Sequence, residues 1–385
     1  MALAPGGTER LGYRPSLDLV RGIAVLLVIA LHYAGPIRPF FPGAGIGVNV
    51  FFVLSGFLIT RLLLEEYDKH GRIHIRQFMR RRIARLAPAL LTLVAAIAIA
   101  EFGFGIYGQP GAVLRGIVAT LVHARNWLTV AGQGEPALGI AWSLSIEEQF
   151  YLVWPAVFLL AARRARVLHL AIGIAVVSVA ATAIRSIVFN TDVQTLKFST
   201  EANGLLTVMT GCALAAILPT VVSSARHRRN LRIAGLLGAF VLAGYVFGVD
   251  STSTLNPRGG WALVALASAA VIAALVAGCD ADWGSRGFGW LRWVGLRSYA
   301  LYLWHLPAFA VTRAVTDNFV LQRVVALTAT LAIAELSMRL IERPARRWIL
   351  SRGRPTPAPT VTDLRETVEL RDTESNTSKH QSRSQ

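Results

Sequence analysis

Cysteine is almost missing from this chain. There are two in 385 residues, Cys212 and Cys279, and both lie inside apolar runs, which excludes a disulfide scaffold and gives no metal-ligand spacing. Charge is scarce as well. Only 16% of residues are charged, against roughly 25% in a soluble globular domain. Acids are the scarcest of these, with 22 Asp+Glu against 39 Lys+Arg and a formal net charge of +17. No internal repeat occurs, so a solenoid is excluded, and no sustained heptad, so a coiled coil is excluded too. What the chain has instead is apolar length: 54% of it is hydrophobic and the mean hydropathy is +0.50, too apolar for disorder or for a water-facing surface.

Runs of about 20 apolar residues suffice to cross a bilayer as a helix. Ten are present: Leu17–Gly35, Gly45–Leu64, Leu86–Ile106, Ile140–Ala162, Val167–Phe189, Asn203–Val222, Ile233–Val249, Trp261–Cys279, Val294–Ala314 and Phe319–Ile341. Ala112–Val130 is an eleventh candidate, but Arg115, His123 and Arg125 would be costly at membrane depth. The distribution of positive charge decides its status. If it does not span, one side of the membrane receives 18 Lys/Arg in the connections. They run through Arg61–Arg85, Arg163–Arg166, Arg226–Arg232 and Arg286–Arg297, while the other side receives 5: Arg38, Arg115, Arg125, Lys197 and Arg258. Cytoplasmic loops carry the basic excess. The sequence therefore predicts an all-α polytopic membrane helix bundle with ten transmembrane helices, one extra re-entrant or interfacial helix, and both termini cytoplasmic. Basic residues held between spans point to membrane lipid, not nucleic acid. The organisation expected is a cytoplasmic segment 1–16, a membrane domain 17–350 and a disordered tail 351–385. The first apolar run contains Asp18 and Arg21 and reads as an uncleaved anchor.

Several spans interrupt their apolar pattern. In the first, Arg21 and His32 are eleven residues apart, three helical turns plus about 20°, so they share a face roughly 16 Å apart along the axis. Asp18 lies on the same face and can neutralise Arg21. A neutral histidine is the usual general base for a hydroxyl; the plain alternative is a buried histidine with a satisfied ring. In the second, Asn49 and Ser55 sit among small residues, a pattern that also suits helix packing alone. Arg81, Arg82 and Arg85, within a turn of a helix start, can grip a polyphosphate or simply meet anionic lipid. In the fourth, Ser143, Glu147 and Tyr151 share one face, and Glu147 needs a partner, with Arg21 or His32 the candidates. In the ninth, Ser298, Tyr302 and His305 recur at helical spacing ahead of Pro307. Together these stripes imply a lined cavity facing an arginine-rich cytoplasmic mouth, suited to chemistry on an anionic compound or to its transport.

Six stretches in order resemble the acyltransferase 3 family of polytopic membrane proteins. They are Leu17-Asp-Leu-Val-Arg-Gly with His32; Gly47-Val-Asn-Val-Phe-Phe-Val-Leu-Ser-Gly-Phe-Leu-Ile59; and Arg82-Ile-Ala-Arg85 before Pro88. Then come Trp142-Ser-Leu-Ser-Ile-Glu-Glu-Gln-Phe-Tyr-Leu-Val-Trp-Pro155, Ser298-Tyr-Ala-Leu-Tyr-Leu-Trp-His-Leu-Pro307, and Glu342-Arg-Pro344. The likeness covers about residues 12–350, while 165–290 matches in hydropathy only. It implies a bacterial cell-membrane enzyme that O-acylates a hydroxyl of a carbohydrate or glycosylated metabolite. Acyl-CoA, acetyl-CoA above all, would be a co-substrate, with no permanently bound cofactor and no metal. The family's Arg-x10-His element falls on Arg21 and His32. The resemblance further implies His32 as general base or transient nucleophile, with Glu147 or Asp18 setting its tautomer and Arg21 orienting a substrate. The donor phosphates would lie on Arg82 and Arg85. Some members append an extracytoplasmic esterase-like domain; none is visible here, so direct transfer or a partner protein is expected. The competing reading is a transporter or flippase of an anionic lipid-linked sugar, against which stands the lack of inverted repeats.

Overall fold

A computed structural model describes residues 13–133, 137–161, 164–188, 193–222, 225–250, 253–279 and 287–352. Beyond Arg352 the expected tail lies outside the described residues, as do residues 1–12. Helix is the only regular structure among those described. The order is α1 (Pro15–Tyr33), α2 (Ile46–His70), α3 (Ile75–Ala98), α4 (Pro110–Leu121), α5 (Arg125–Val130), α6 (Ala141–Ala161) and α7 (Arg164–Val188). There follow α8 (Val193–Val221), α9 (Ala225–Gly248), α10 (Trp261–Ala274), α11 (Gly289–Leu296), α12 (Ser298–Val315), α13 (Phe319–Leu336) and α14 (Arg343–Ser351).

Nine helices among the described residues are long and apolar enough to cross a bilayer. Helix α12 has the length, 18 residues, but His305, Pro307 and Arg313 reduce its apolarity, and it packs inside the bundle against α1 and α13. The outer faces carry Leu160 (85% exposed), Phe240 (77%) and Leu236 (73%), a surface that suits lipid and not water. The eleventh candidate does not span. Its 12-residue helix α4, about 18 Å long, ends at Leu121, and His123 takes a positive φ of 55° before α5 begins. Gln149 on α6 holds this break, donating from Nε2 to the His123 carbonyl (2.6 Å) and to Asn126 Oδ1 (3.0 Å).

Some boundaries differ from the sequence expectation. Helix α3 starts at Ile75, eleven residues before the apolar run, so Arg81, Arg82 and Arg85 lie within the helix and not at its start. Gly71 closes α2 in the left-handed conformation, its N–H reaching the Tyr67 carbonyl (2.8 Å), and leaves a four-residue turn before α3. The ninth span is divided at Arg297, which pairs with Glu335 on α13 and lies over Trp293 (4.2 Å).

Helix α2 is central, packing on α1, α6, α8 and α10. Its crossing with α8 is close enough to exclude side chains: a Cβ on Gly56 would lie 2.0 Å from the Val208 carbonyl, and one on Gly211 2.0 Å from the Val53 carbonyl. Phe52, Trp154, Phe158 and Met209 fill the space between α2, α6 and α8. Asn49 meets Asn203 as Gly56 meets Val208, so α2 and α8 run in the same direction.

Candidate active site

Helices α1 and α12 bring two histidines together. His32 Nδ1 lies 2.8 Å from the Val28 carbonyl and 3.3 Å from His305 Nε2. His305 Nδ1 lies 2.6 Å from the Tyr302 carbonyl. A carbonyl only accepts, so both Nδ1 atoms carry protons. His305 Nε2 then holds a lone pair facing the His32 Nδ1–H, and His32 Nε2 is left as an unprotonated acceptor. Tyr33 donates to the His305 carbonyl (2.5 Å), tying the pair to α1. His305 is fully buried, whereas His32 lines a chamber of about 510 Å³.

That chamber also presents Asn49, Trp142, Asn203, Trp261 and Tyr302. Among the described residues, the lining holds no ionisable acid or base besides His32 and tyrosine. Val48 and Tyr302 form its boundary with a narrow cleft of about 90 Å³, where Arg21, Ser55, Arg82, Arg85, Ser143 and Glu147 converge. Arg82 and Arg85 in turn line a third space of about 720 Å³, joined there by Lys69, Arg81 and Arg346. An open mouth, a guanidinium-lined neck and a neutral chamber thus follow one another through the bundle.

The neck is rigidly built. Ser55 donates to Glu147 Oε1 (2.7 Å), and Tyr151 donates to Ser55 Oγ (3.1 Å) and Glu147 Oε2 (3.4 Å). The Arg82 guanidinium lies over the Tyr151 ring (5.0 Å) and the Phe78 ring (5.6 Å). Arg21 is paired with Asp18 at 2.8 Å, and Asp18 accepts a second bond from Tyr13 (2.5 Å). Ser143 Oγ and Tyr302 OH are 2.5 Å apart, and Tyr302 also reaches the Ile140 carbonyl (3.1 Å).

A sequence profile described as an acyltransferase domain matches residues 14–338, most of the chain. The chain belongs to the acyltransferase 3 family. Among similar proteins is the peptidoglycan O-acetyltransferase OatA of Listeria monocytogenes, 32% identical over 359 residues, 87% of this chain and 56% of the relative. The O-acetyltransferase OatA of Staphylococcus aureus is 30% identical over 354 residues, 87% of this chain and 57% of the relative. The acyltransferase 3 chain therefore spans a little over half the length of these curated relatives. No solved structure matches it.

The bundle gathers the expected polar stripes but divides them between two spaces. Arg21, Ser55, Arg82, Arg85, Ser143 and Glu147 meet in the neck; His32 and Asn49 face the chamber; Tyr302 touches both. Arg81 stays at the mouth. Two expected contacts are replaced. The groups bonded to His32 Nδ1 are Val28 and His305, while Glu147 is bonded to Ser55 and Tyr151, and Asp18 to Arg21 and Tyr13. Asn203, Trp261 and Tyr245 escaped sequence reasoning because they lie in the stretch without motifs. A buried amide at the head of the sixth apolar run was the available signal for Asn203.

Proposed function

We infer that this acyltransferase 3 protein moves an acyl group, acetyl by analogy with its relatives, from acyl-CoA to a carbohydrate hydroxyl across a bacterial membrane. One observation carries the reading. His32, its Nδ1 held by the Val28 carbonyl, lines a chamber that meets an arginine-lined neck at Tyr302. With the basic excess cytoplasmic, both termini are cytoplasmic and the mouth opens to the cytosol. The CoA phosphates bind Arg81, Arg82 and Arg85, aided by Lys69 and Arg346, because guanidiniums suit bidentate phosphate contacts. The acyl arm threads the neck past Arg21, which orients the thioester. The acceptor enters the chamber from the opposite side. His32 Nε2 takes the hydroxyl proton as the oxygen attacks the thioester carbon; the C–S bond breaks, and the proton returns to the departing thiolate to give free CoA thiol and an ester. Glu147 holds the guanidiniums in register through the Ser55–Tyr151 network.

Purified protein given acetyl-CoA and tetra-N-acetylchitotetraose should release CoA thiol and yield an O-acetylated sugar. His32→Ala should abolish both while inserting normally. Full activity in that variant, or no thiol release from the parent protein with any sugar acceptor, rejects the assignment. Arg82→Ala with Arg85→Ala should raise the KM for acetyl-CoA at least about tenfold, since charge-assisted hydrogen bonds contribute about 1.5–3 kcal/mol each.

A further inference from the structure

The amide pair Asn49–Asn203 lies in the His32 chamber and is not used by the steps above. Both residues are 94% buried, since each keeps only 6% of its surface. Asn49 Nδ2 donates to Asn203 Oδ1 at 3.0 Å. Two primary amides joined by one such bond leave a carbonyl oxygen on Asn49 and an NH2 on Asn203 for other partners. Both side chains line the chamber. Neither group is among the fully buried unmatched side-chain atoms, so both are reachable from the chamber, and their natural complement is a group that both donates and accepts. A hydroxyl does this; a phosphate or carboxylate, which only accepts, does not.

The surrounding wall fits the same kind of ligand. Trp142 and Trp261 line the chamber, and Phe52 meets Trp142 nearly edge-on (centroids 6.2 Å, planes at 80°). An indole face packs against the C–H face of a pyranose while leaving its hydroxyls to polar neighbours. Among the described residues the guanidiniums lie in the neck and at the mouth, none in this wall. The close α2–α8 crossing at Gly56 and Gly211 fixes the distance between the two amides.

We propose that Asn49 and Asn203, with Trp142 and Trp261, form the acceptor subsite, and that it selects an uncharged pyranose by gripping one of its hydroxyls between the Asn49 carbonyl and the Asn203 amide. This deepens the O-acyl transfer reading and rests on it. Asn203 and Trp261 are then specificity-determining positions, one on α8 and one on α10.

The test compares Asn203→Leu, Asn203→Asp and Trp261→Ala with the parent protein, using tetra-N-acetylchitotetraose as acceptor and acetyl-CoA as donor. Each variant should raise the acceptor KM about tenfold or more while the acetyl-CoA KM stays unchanged. Asn203→Asp keeps the volume and replaces the amide donor by an acceptor, so it carries the test if the leucine variant misfolds. An unchanged acceptor KM in the aspartate and Trp261 variants, or an equal rise in the acetyl-CoA KM, overturns the proposal. A parent protein that transfers to no sugar defeats the parent reading instead, so the two failures are told apart. Quenching of tryptophan fluorescence by the sugar alone, lost when Trp142→Phe and Trp261→Phe are combined, reports binding without chemistry; quenching that persists in the double variant counts against the subsite.

Discussion

His32 Nε2 is basic only while its Nδ1 keeps a proton, and two acceptors hold that proton in place, the Val28 carbonyl and His305 Nε2. His305 is thus a positioning residue, buried away from the chamber and held through Tyr302 and Tyr33. His305→Phe keeps the ring volume but removes the acceptor. Its kcat should fall by roughly 10²-fold, the scale of general-base catalysis, with both KM values unchanged and the acidic limb of the pH–rate profile, where the base loses its proton as pH rises, altered. A uniform loss of folded protein in place of that split would give His305 a purely structural role. Asp18 presents the opposite case. It neutralises Arg21 inside the bundle, and Asp18→Asn leaves a guanidinium without its counterion. Breaking such a buried pair costs about 3–5 kcal/mol, so the detergent-solubilised variant should melt several degrees lower.

At the scale of the element, close helix crossings do the positioning. Apolar side chains gain little by leaving lipid for another helix, so association depends on backbone approach and on interhelical hydrogen bonds. Gly56 and Gly211 allow α2 and α8 to touch, and the Asn49–Asn203 bond forms on the same interface. Gly56→Leu must push the helices apart, at about 1–3 kcal/mol for overpacking, and should lower the melting temperature and raise the acceptor KM together. Gly244→Leu is the control, because nothing lies within 4 Å of a Cβ there and the residue faces outward. Comparable damage in both variants would contradict a specific crossing. The break between α4 and α5 is another element-level device. Arg115, His123 and Arg125, with the distribution of basic residues among the connections, argued against a span from sequence, and Gln149 shows how α6 secures the resulting turn.

Across the whole molecule, charge is segregated by end and by depth. The mouth holds Lys69, Arg81, Arg82, Arg85 and Arg346 against Glu65 and Glu66, while among the described residues the chamber wall has no guanidinium or ammonium. Placing the mouth in the cytosol predicts the outcome of cysteine labelling. In a background with Cys212 and Cys279 replaced, a membrane-impermeant maleimide should label Thr254→Cys in intact cells and reach Lys69→Cys only after lysis. The reverse pattern would invert the proposed orientation and with it the sides of donor and acceptor.

Sequence alone determined the class of the molecule, because a bilayer accepts only long apolar helices and leaves the charged residues to the connections. It also identified which polar residues had to turn inward, since Arg21, His32, Glu147 and Tyr302 would be too costly against lipid. Helix periodicity places residues on a face but does not say which face meets which. Only the tertiary structure decided that His32 pairs with His305 and not with Glu147. It likewise separated the stripes into a guanidinium neck and a neutral chamber, and carried Asn203 from a stretch without motifs to Asn49. Those contacts join residues 154 to 273 positions apart, and they exist because of how the helices cross.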